Sequence, residues 1–173
     1  MNSSIRQEDT RDYERVDAII KAAFGQENEA LLVEVLRNTE AFIPELSLVA
    51  VQDEKPVGHI LFSKILIRNS EGGVFESLAL APVAVVPELQ RKGIGSALIR
   101  AGLAKARELG YTSVIVLGHP EYYPRFGFKP SVAWNIKAPF EAPENAFMAM
   151  ELSEGALKDV SGIVQYPDGF ALV

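Results

Sequence analysis

The segment Gln90-Arg91-Lys92-Gly93-Ile94-Gly95 brings two glycines and two cations together directly before a run with helical spacing. Glycine lets a large group approach the main chain, and the first amides of a helix have no partner within it. Such a turn therefore suits an anionic group, a phosphate above all. Taken alone, the same residues also fit a helix-start turn with solvent-facing Arg91 and Lys92. Groups able to move protons or bind metals are few elsewhere. Cys is absent, which removes a cysteine nucleophile, thiolate zinc ligands and disulfides. His59 and His119 are the only histidines, so a three-histidine zinc site is excluded and no metal is expected. His59, within a predicted strand, reads as a packed or hydrogen-bonded residue rather than a catalyst.

Two elements must position the turn. Before it, Leu78 to Val86 is continuously apolar and ends at Pro87, which suits a strand buried on both faces, with Val74 as its start. After it, Ala97, Leu98, Ala101 and Ala104 recur at helical spacing, and Leu109-Gly110 supplies a helix end. Pro82 lies inside the strand and cannot donate to a sheet ladder, so a bulge or a local parting of strands is expected there. The backbone groups of Val83, Ala84 and Val85 then need other partners, which an extended ligand carrying its own amides would supply. The ligand so predicted is elongated, amide-bearing at one end and pyrophosphate-bearing at the other. Coenzyme A has that layout.

These residues, Val83-Ala84-Val85-Val86-Pro87-Glu88-Leu89-Gln90-Arg91-Lys92-Gly93-Ile94-Gly95-Ser96-Ala97-Leu98, resemble the acetyl-CoA-binding motif of the GNAT superfamily of N-acetyltransferases. A second segment, Tyr122-Tyr123-Pro124-Arg125-Phe126-Gly127-Phe128, resembles that family's Y-x-x-x-G-F signature, in the right order and at the right distance. The resemblance implies acetyl transfer from acetyl-CoA to an amine, with no metal. It implies a cosubstrate site at Val83, Ala84, Val85, Arg91, Lys92, Gly93, Ile94, Gly95 and Ser96. By the family pattern Tyr123, four residues before Gly127, is the general acid beside the sulfur, with Tyr122 as the neighbouring alternative. Many relatives carry a glutamate on the central strand as a base working through water, but the corresponding position here is Ala79. Glu76 is the nearest carboxylate on that strand and the candidate base, and His119 and Glu121 are further candidates. Without a cysteine, an acyl-enzyme on that residue is excluded and direct attack within a ternary complex is favoured.

The remaining chain supplies a short strand at Ile5-Arg6, helices over Asp12–Phe24 and Glu29–Arg37, and a hairpin of Leu46–Gln52 with Val57–Ile67. Ser113–Leu117 is a further buried strand reached by a parallel crossover. Ser131–Asn145 reads as an irregular covering loop, Phe147–Leu152 as a strand, and Ile163–Tyr166 as a closing edge strand. The expected fold is α/β: a mixed, mostly antiparallel sheet of six or seven strands, splayed between its two central parallel strands, with helices on both faces. Residues 1–173 are expected to form one acetyltransferase domain. A formal charge of −6 without a long basic stripe argues against nucleic acid as a partner. The longest apolar run is too short to cross a bilayer, and Met1–Asp9 lacks the pattern of a signal peptide, so a cytoplasmic protein without membrane association is expected. The acceptor is expected to be a small-molecule or peptide amine, and the Phe147–Leu152 and C-terminal strands are where two copies could pair as a homodimer. Two other classes fit the turn: a non-catalytic acyl-CoA-binding or regulatory module, and a nucleotide-binding domain.

Overall fold

In the computed structural model, which describes residues 3–173, twelve helices and strands follow one another along the chain. They are β1 (Ser4–Gln7), α1 (Tyr13–Phe24), α2 (Asn28–Leu36), β2 (Phe42–Gln52), β3 (Lys55–Arg68), β4 (Val74–Val85), α3 (Ile94–Glu108), β5 (Ser113–Leu117), β6 (Lys129–Pro130), β7 (Ile136–Lys137), β8 (Phe147–Glu151) and β9 (Gly162–Gln165). The hydrogen-bonded order is β1-β2-β3-β4-β5-β8-β6, with β9 pairing both β3 and β7. The β4–β5 and β7–β9 pairs are parallel, whereas β1–β2, β2–β3, β3–β9, β5–β8 and β6–β8 are antiparallel. The architecture is thus an open, mixed and mostly antiparallel α/β sheet. Two of its strands, β6 and β7, are only two residues long.

The chain divides into two compact units. The first holds the chain up to Ser63, Ala81–Lys105 and Asp168–Val173; the second holds Lys64–Leu80 and Ala106–Pro167. Strands β3 and β4 each begin in one unit and end in the other.

In the first unit, α1 buries Val16, Ile19 and Ile20, the apolar stripe that the sequence spacing predicts, and Gly25 closes it in the left-handed conformation at φ +68°. Each such side chain removed from water contributes roughly 1.5–3 kcal/mol. Successive side chains of β3 point to opposite faces. On one face Gly58 and Phe62 meet α3, through Ile94 and Leu98 at Gly58 and through Gly102 at Phe62. On the other face His59 joins a buried polar cluster. The His59 Nε2 atom lies 3.0 Å from Ser47 Oγ, Ser47 Oγ donates to Glu8 Oε1 at 2.8 Å, and Arg37, just past α2, donates to Glu8 Oε2 at 2.6 Å. The Arg37 guanidinium also lies 3.8 Å from the centre of the Tyr13 ring. Burial, with Arg37 nearby, pushes the His59 imidazole down to about 3, so it is neutral at pH 7.

In the second unit, β5 is buried from Ser113 to Val116 and pairs β8 along its whole length, Ser113↔Glu151 to Leu117↔Phe147. The buried hydroxyls of Ser77 and Ser113 lie 2.7 Å apart and satisfy one another. Two sequence expectations change here. Ile163–Tyr166 is not an edge strand, because β9 is flanked by β3 and β7. Ser131–Asn145 is not wholly irregular: Ser131–Trp134 is a 3-10 turn and Ile136–Lys137 is a strand, locked by the Ser131 hydroxyl donating to the Ile136 carbonyl at 2.7 Å. The prolines of that segment masked these short elements.

Candidate active site

The turn after β4 is built within the first unit. β4 ends at Val85, Pro87–Leu89 makes one 3-10 turn, and α3 begins at Ile94. Arg91 and Gly93 adopt the left-handed region, at φ +64° and +89°. That conformation costs glycine little, whereas a non-glycine residue at φ > 0 is uncommon and marks a constrained corner. The Gly93 carbonyl accepts the first helical bond, from Ala97 N–H at 3.0 Å, so the amides of the opening turn of α3 point out of its N-terminal end. Arg91, Lys92 and Gly93 are exposed, Ile94 is buried, and Gly95 and Ser96 are half-buried.

The strand before the turn offers a second row of backbone groups. Val86 N–H donates to the Val57 carbonyl of β3 at 2.9 Å. Because the hydrogen-bonding edge alternates from one residue to the next in an antiparallel strand, the amides and carbonyls of Val83 and Val85 face away from β3. The side-chain amide of Gln90 donates to the Val85 carbonyl at 3.0 Å, tying the turn back to the strand end. Along β4 the parallel ladder with β5 comprises, among the described residues, Leu78↔Val114 and Ala79↔Ile115, and it stops short of Pro82. The described ladder thus ends before the proline, a residue that cannot donate to it. An added Cβ at Gly58 would meet Leu98 Cδ1 at 3.1 Å, the Ala84 carbonyl oxygen at 3.2 Å and Ile94 Cγ2 at 3.3 Å. A bare backbone at position 58 is thus what lets α3 and the end of β4 sit this closely on β3.

The tyrosine segment belongs to the second unit. Tyr123 opens a 3-10 turn, Tyr123–Phe126, that ends at Gly127 with φ +109°. Its ring is buried and packs edge-on against Tyr122 and Phe128, with centroids 5.2 and 5.7 Å apart. The ring lies against Gly118, where an added Cβ would clash with its Cε2 and Cδ2 atoms. Burial, with Tyr122 beside it, pushes the Tyr123 hydroxyl up to about 12, so it keeps its proton throughout the neutral range. Tyr122 is half-buried and forms a cation–π contact with Arg125 at 4.6 Å. Glu76 is exposed near the start of β4, and His119 and Glu121 are exposed between β5 and the tyrosine turn. All five of these residues lie in the second unit, while the turn and Val83–Val85 lie in the first. No group of acidic, histidine or cysteine residues able to hold a metal occurs among the described residues.

The family model described as the acetyltransferase (GNAT) family matches residues 5–128. The chain belongs to the GNAT acetyltransferase family. It is 40% identical over 137 residues to the uncharacterized N-acetyltransferase YjhQ of Escherichia coli K12, covering 79% of this chain and 75% of that protein. It is 32% identical over 167 residues to the uncharacterized N-acetyltransferase YhbS of the same organism, covering 96% and 97%. The crystal structure of YhbS in complex with CoA superposes with a TM-score of 0.90 at 31% identity, over 99% of this chain and 93% of that one. A GNAT family acetyltransferase from Brucella melitensis in complex with acetyl-CoA gives 0.80 at 32% identity, over 98% of each. This GNAT chain is accordingly an N-acetyltransferase by family, and its relatives' structures hold the thiol carrier that the turn and strand predict.

Three contributors escaped the sequence reading of this acetyltransferase. Gly118 could not be found from sequence, because its pairing with the Tyr123 ring depends on a tertiary approach. Gln90 stood within the motif, but its bond to Val85 follows from the fold of the corner. Gly58 carried a signal that was not used: a glycine inside a strand is itself a sign of close backbone approach.

Proposed function

We propose that the whole chain is one acetyltransferase domain that moves the acetyl group of acetyl-CoA directly to a primary amine in a ternary complex. The outward-facing amide and carbonyl of Val83, with Ala84 beside it, pair with the amide-bearing arm of the carrier, which leaves the Val85 amide free for the thioester. The turn Arg91-Lys92-Gly93-Ile94-Gly95-Ser96 takes the pyrophosphate, with first-turn amides as donors and Arg91 and Lys92 as counter-charges. The Val85 amide polarises the thioester carbonyl as negative charge builds on its oxygen. The neutral amine attacks the carbonyl carbon, a C–N bond forms and the C–S bond breaks. The departing sulfur receives the proton of the Tyr123 hydroxyl, and the proton lost by the amine passes through water to Glu76 and then to solvent. Tyr123 regains its proton from bulk water, as expected of a hydroxyl whose affinity for it burial has raised.

The observation that carries this reading is the corner itself: left-handed Arg91 and Gly93 at the mouth of α3, beside a strand end whose backbone faces away from its neighbour. The cytoplasm, where acetyl-CoA is made available, is the compartment we assign to it. The test is calorimetric titration with acetyl-CoA, followed by a screen of amines that reads free thiol release. Saturable binding and amine-dependent thiol release are expected; a protein that does neither refutes the proposal. A second reading, a CoA-binding module without turnover, is favoured by one observation. The central strand carries Ala79 where a base is wanted, and the nearest carboxylate, Glu76, is exposed. That reading predicts binding with no thiol release from any amine.

A further inference from the structure

The second unit contains a cavity of about 660 Å³ that the motifs do not account for. Its walls come from the segment 131–147, and they have an apolar part and a charged part. Val132, Ile136, Phe140 and Phe147 supply the apolar part; Glu141 and Glu144 stand against a single cation, Lys137. Ile136 and Phe147 are buried, whereas Val132 and Phe140 remain 47% and 45% exposed at the rim. The Phe140 ring stacks on Tyr166 and meets Phe147 edge-on, both at 6.1 Å, so it is held in place although half of it faces water. No ion pair among the described residues neutralises Glu141, Glu144 or Lys137, leaving the wall with an excess of negative charge. The volume falls within the range of sites that enclose a small organic molecule, roughly 300–1,000 Å³.

The cavity adjoins the Tyr123 seat through the backbone of the same unit. Gly118, on which the Tyr123 ring lies, donates its N–H to the Ala146 carbonyl at 2.9 Å. The next residues on each strand, Leu117 and Phe147, are register partners, and Phe147 is part of the cavity wall. From the other side, Phe128 touches the Tyr123 ring and leads within three residues to Ser131, also in the wall. We infer that this cavity receives the acceptor, and that the acceptor is a monocationic primary amine carried on a single aromatic body. A ring would fit between the apolar wall and Phe140, where edge-on and offset contacts are favourable. Its ammonium would be drawn to Glu141 and Glu144 before losing a proton. Linear polyamines lack the apolar body, and a peptide N-terminus carries flanking backbone that an apolar wall does not satisfy. This inference rests on the acetyl-transfer reading for its catalytic meaning, but it is tested by binding alone.

The only tryptophan, Trp134, ends the 3-10 turn that contributes Ser131 and Val132 to the wall, so its fluorescence reports on occupancy. Phenethylamine is titrated into CoA-saturated protein, with spermidine and a tripeptide as controls. A saturable change is expected for phenethylamine and not for the controls. Phe140→Ala and the double variant Glu141→Gln/Glu144→Gln should each weaken it about tenfold, while CoA affinity stays the same. All three side chains lie at the exposed rim, so these variants should fold. A flat titration overturns the assignment, as does a midpoint that neither variant moves. If other amines still release thiol in that case, acetyl transfer stands and the cavity assignment falls. If phenethylamine binds with these shifts but no amine releases thiol, the cavity stands and the transferase reading falls.

Discussion

Replacing Tyr123 with phenylalanine removes one oxygen from a buried ring and leaves its packing against Gly118, Tyr122 and Phe128 intact. If that hydroxyl protonates the leaving sulfur, kcat should fall by about 100- to 10,000-fold, the usual contribution of a positioned acid, with the KM for acetyl-CoA within about twofold. Steady-state kinetics with a competent amine check this, and an unchanged kcat would move the role to Tyr122 or to water. The hydroxyl pushed up to about 12 also predicts no alkaline loss of activity assignable to Tyr123 below about pH 11. At this scale the sequence was informative wherever residue type alone limits the chemistry. The absence of cysteine, the scarcity of histidine and the tyrosine before Gly127 could all be read directly. What could not be read were pairings that exist only after folding, such as Gly118 under Tyr123, Ser77 with Ser113, and Ser47 between Glu8 and His59.

Helix α3 carries the corner at its N-terminus, so its seat on β3 determines where the corner lies. Gly102 sits mid-helix against the fully buried Phe62, and an added Cβ would come within 2.2 Å of that ring. Alanine normally favours a helix over glycine by about 1 kcal/mol. Overpacking against an immobile ring costs about 1–3 kcal/mol, so the clash should prevail. Gly102→Ala is therefore expected to lower unfolding free energy by up to about 2 kcal/mol in denaturant titration. Gly58→Ala makes only 3.1–3.3 Å contacts, but these fall on Leu98, Ile94 and Ala84, at the corner itself. It should weaken acetyl-CoA binding more than it destabilises the fold, and calorimetry alongside the same titration separates the two effects. Long periodic elements such as α1 and α3 were legible because their apolar spacing exceeds the reach of local exceptions. β6 and β7 were not, since a two-residue strand has no period and owes its existence to β8 and β9.

For the molecule as a whole, acidity acts through His59. Burial above all, and Arg37 after it, favours its neutral form in the fold against an opposing pull from Asp12, while its ring faces Ser47 and Glu8. With its folded value lowered to about 3 from an ordinary 6.5, its stabilising contribution is complete above pH 6.5 and is lost as pH falls through that window. Stability should decline by up to about 1.4 kcal/mol per pH unit between about pH 6 and 4, above the range in which Asp9 and Asp12 begin to protonate. His59→Gln, which keeps a group near Ser47 but cannot take up a proton, should flatten that slope in chemical denaturation at stepped pH. A slope that persists in the variant would assign it to other groups.

Strands β3 and β4 pass from one compact unit into the other in mid-course, and the last residues return to the unit in which the chain began. The gene consequently has no codon at which it can be bisected into two self-sufficient halves. A single cut between Lys64 and Pro167 leaves each fragment holding pieces of both cores and separates Asp168–Val173 from the N-terminal helices they accompany, and an earlier cut divides the first core. Split-reporter or domain-transplant schemes built on this chain must therefore carry it entire.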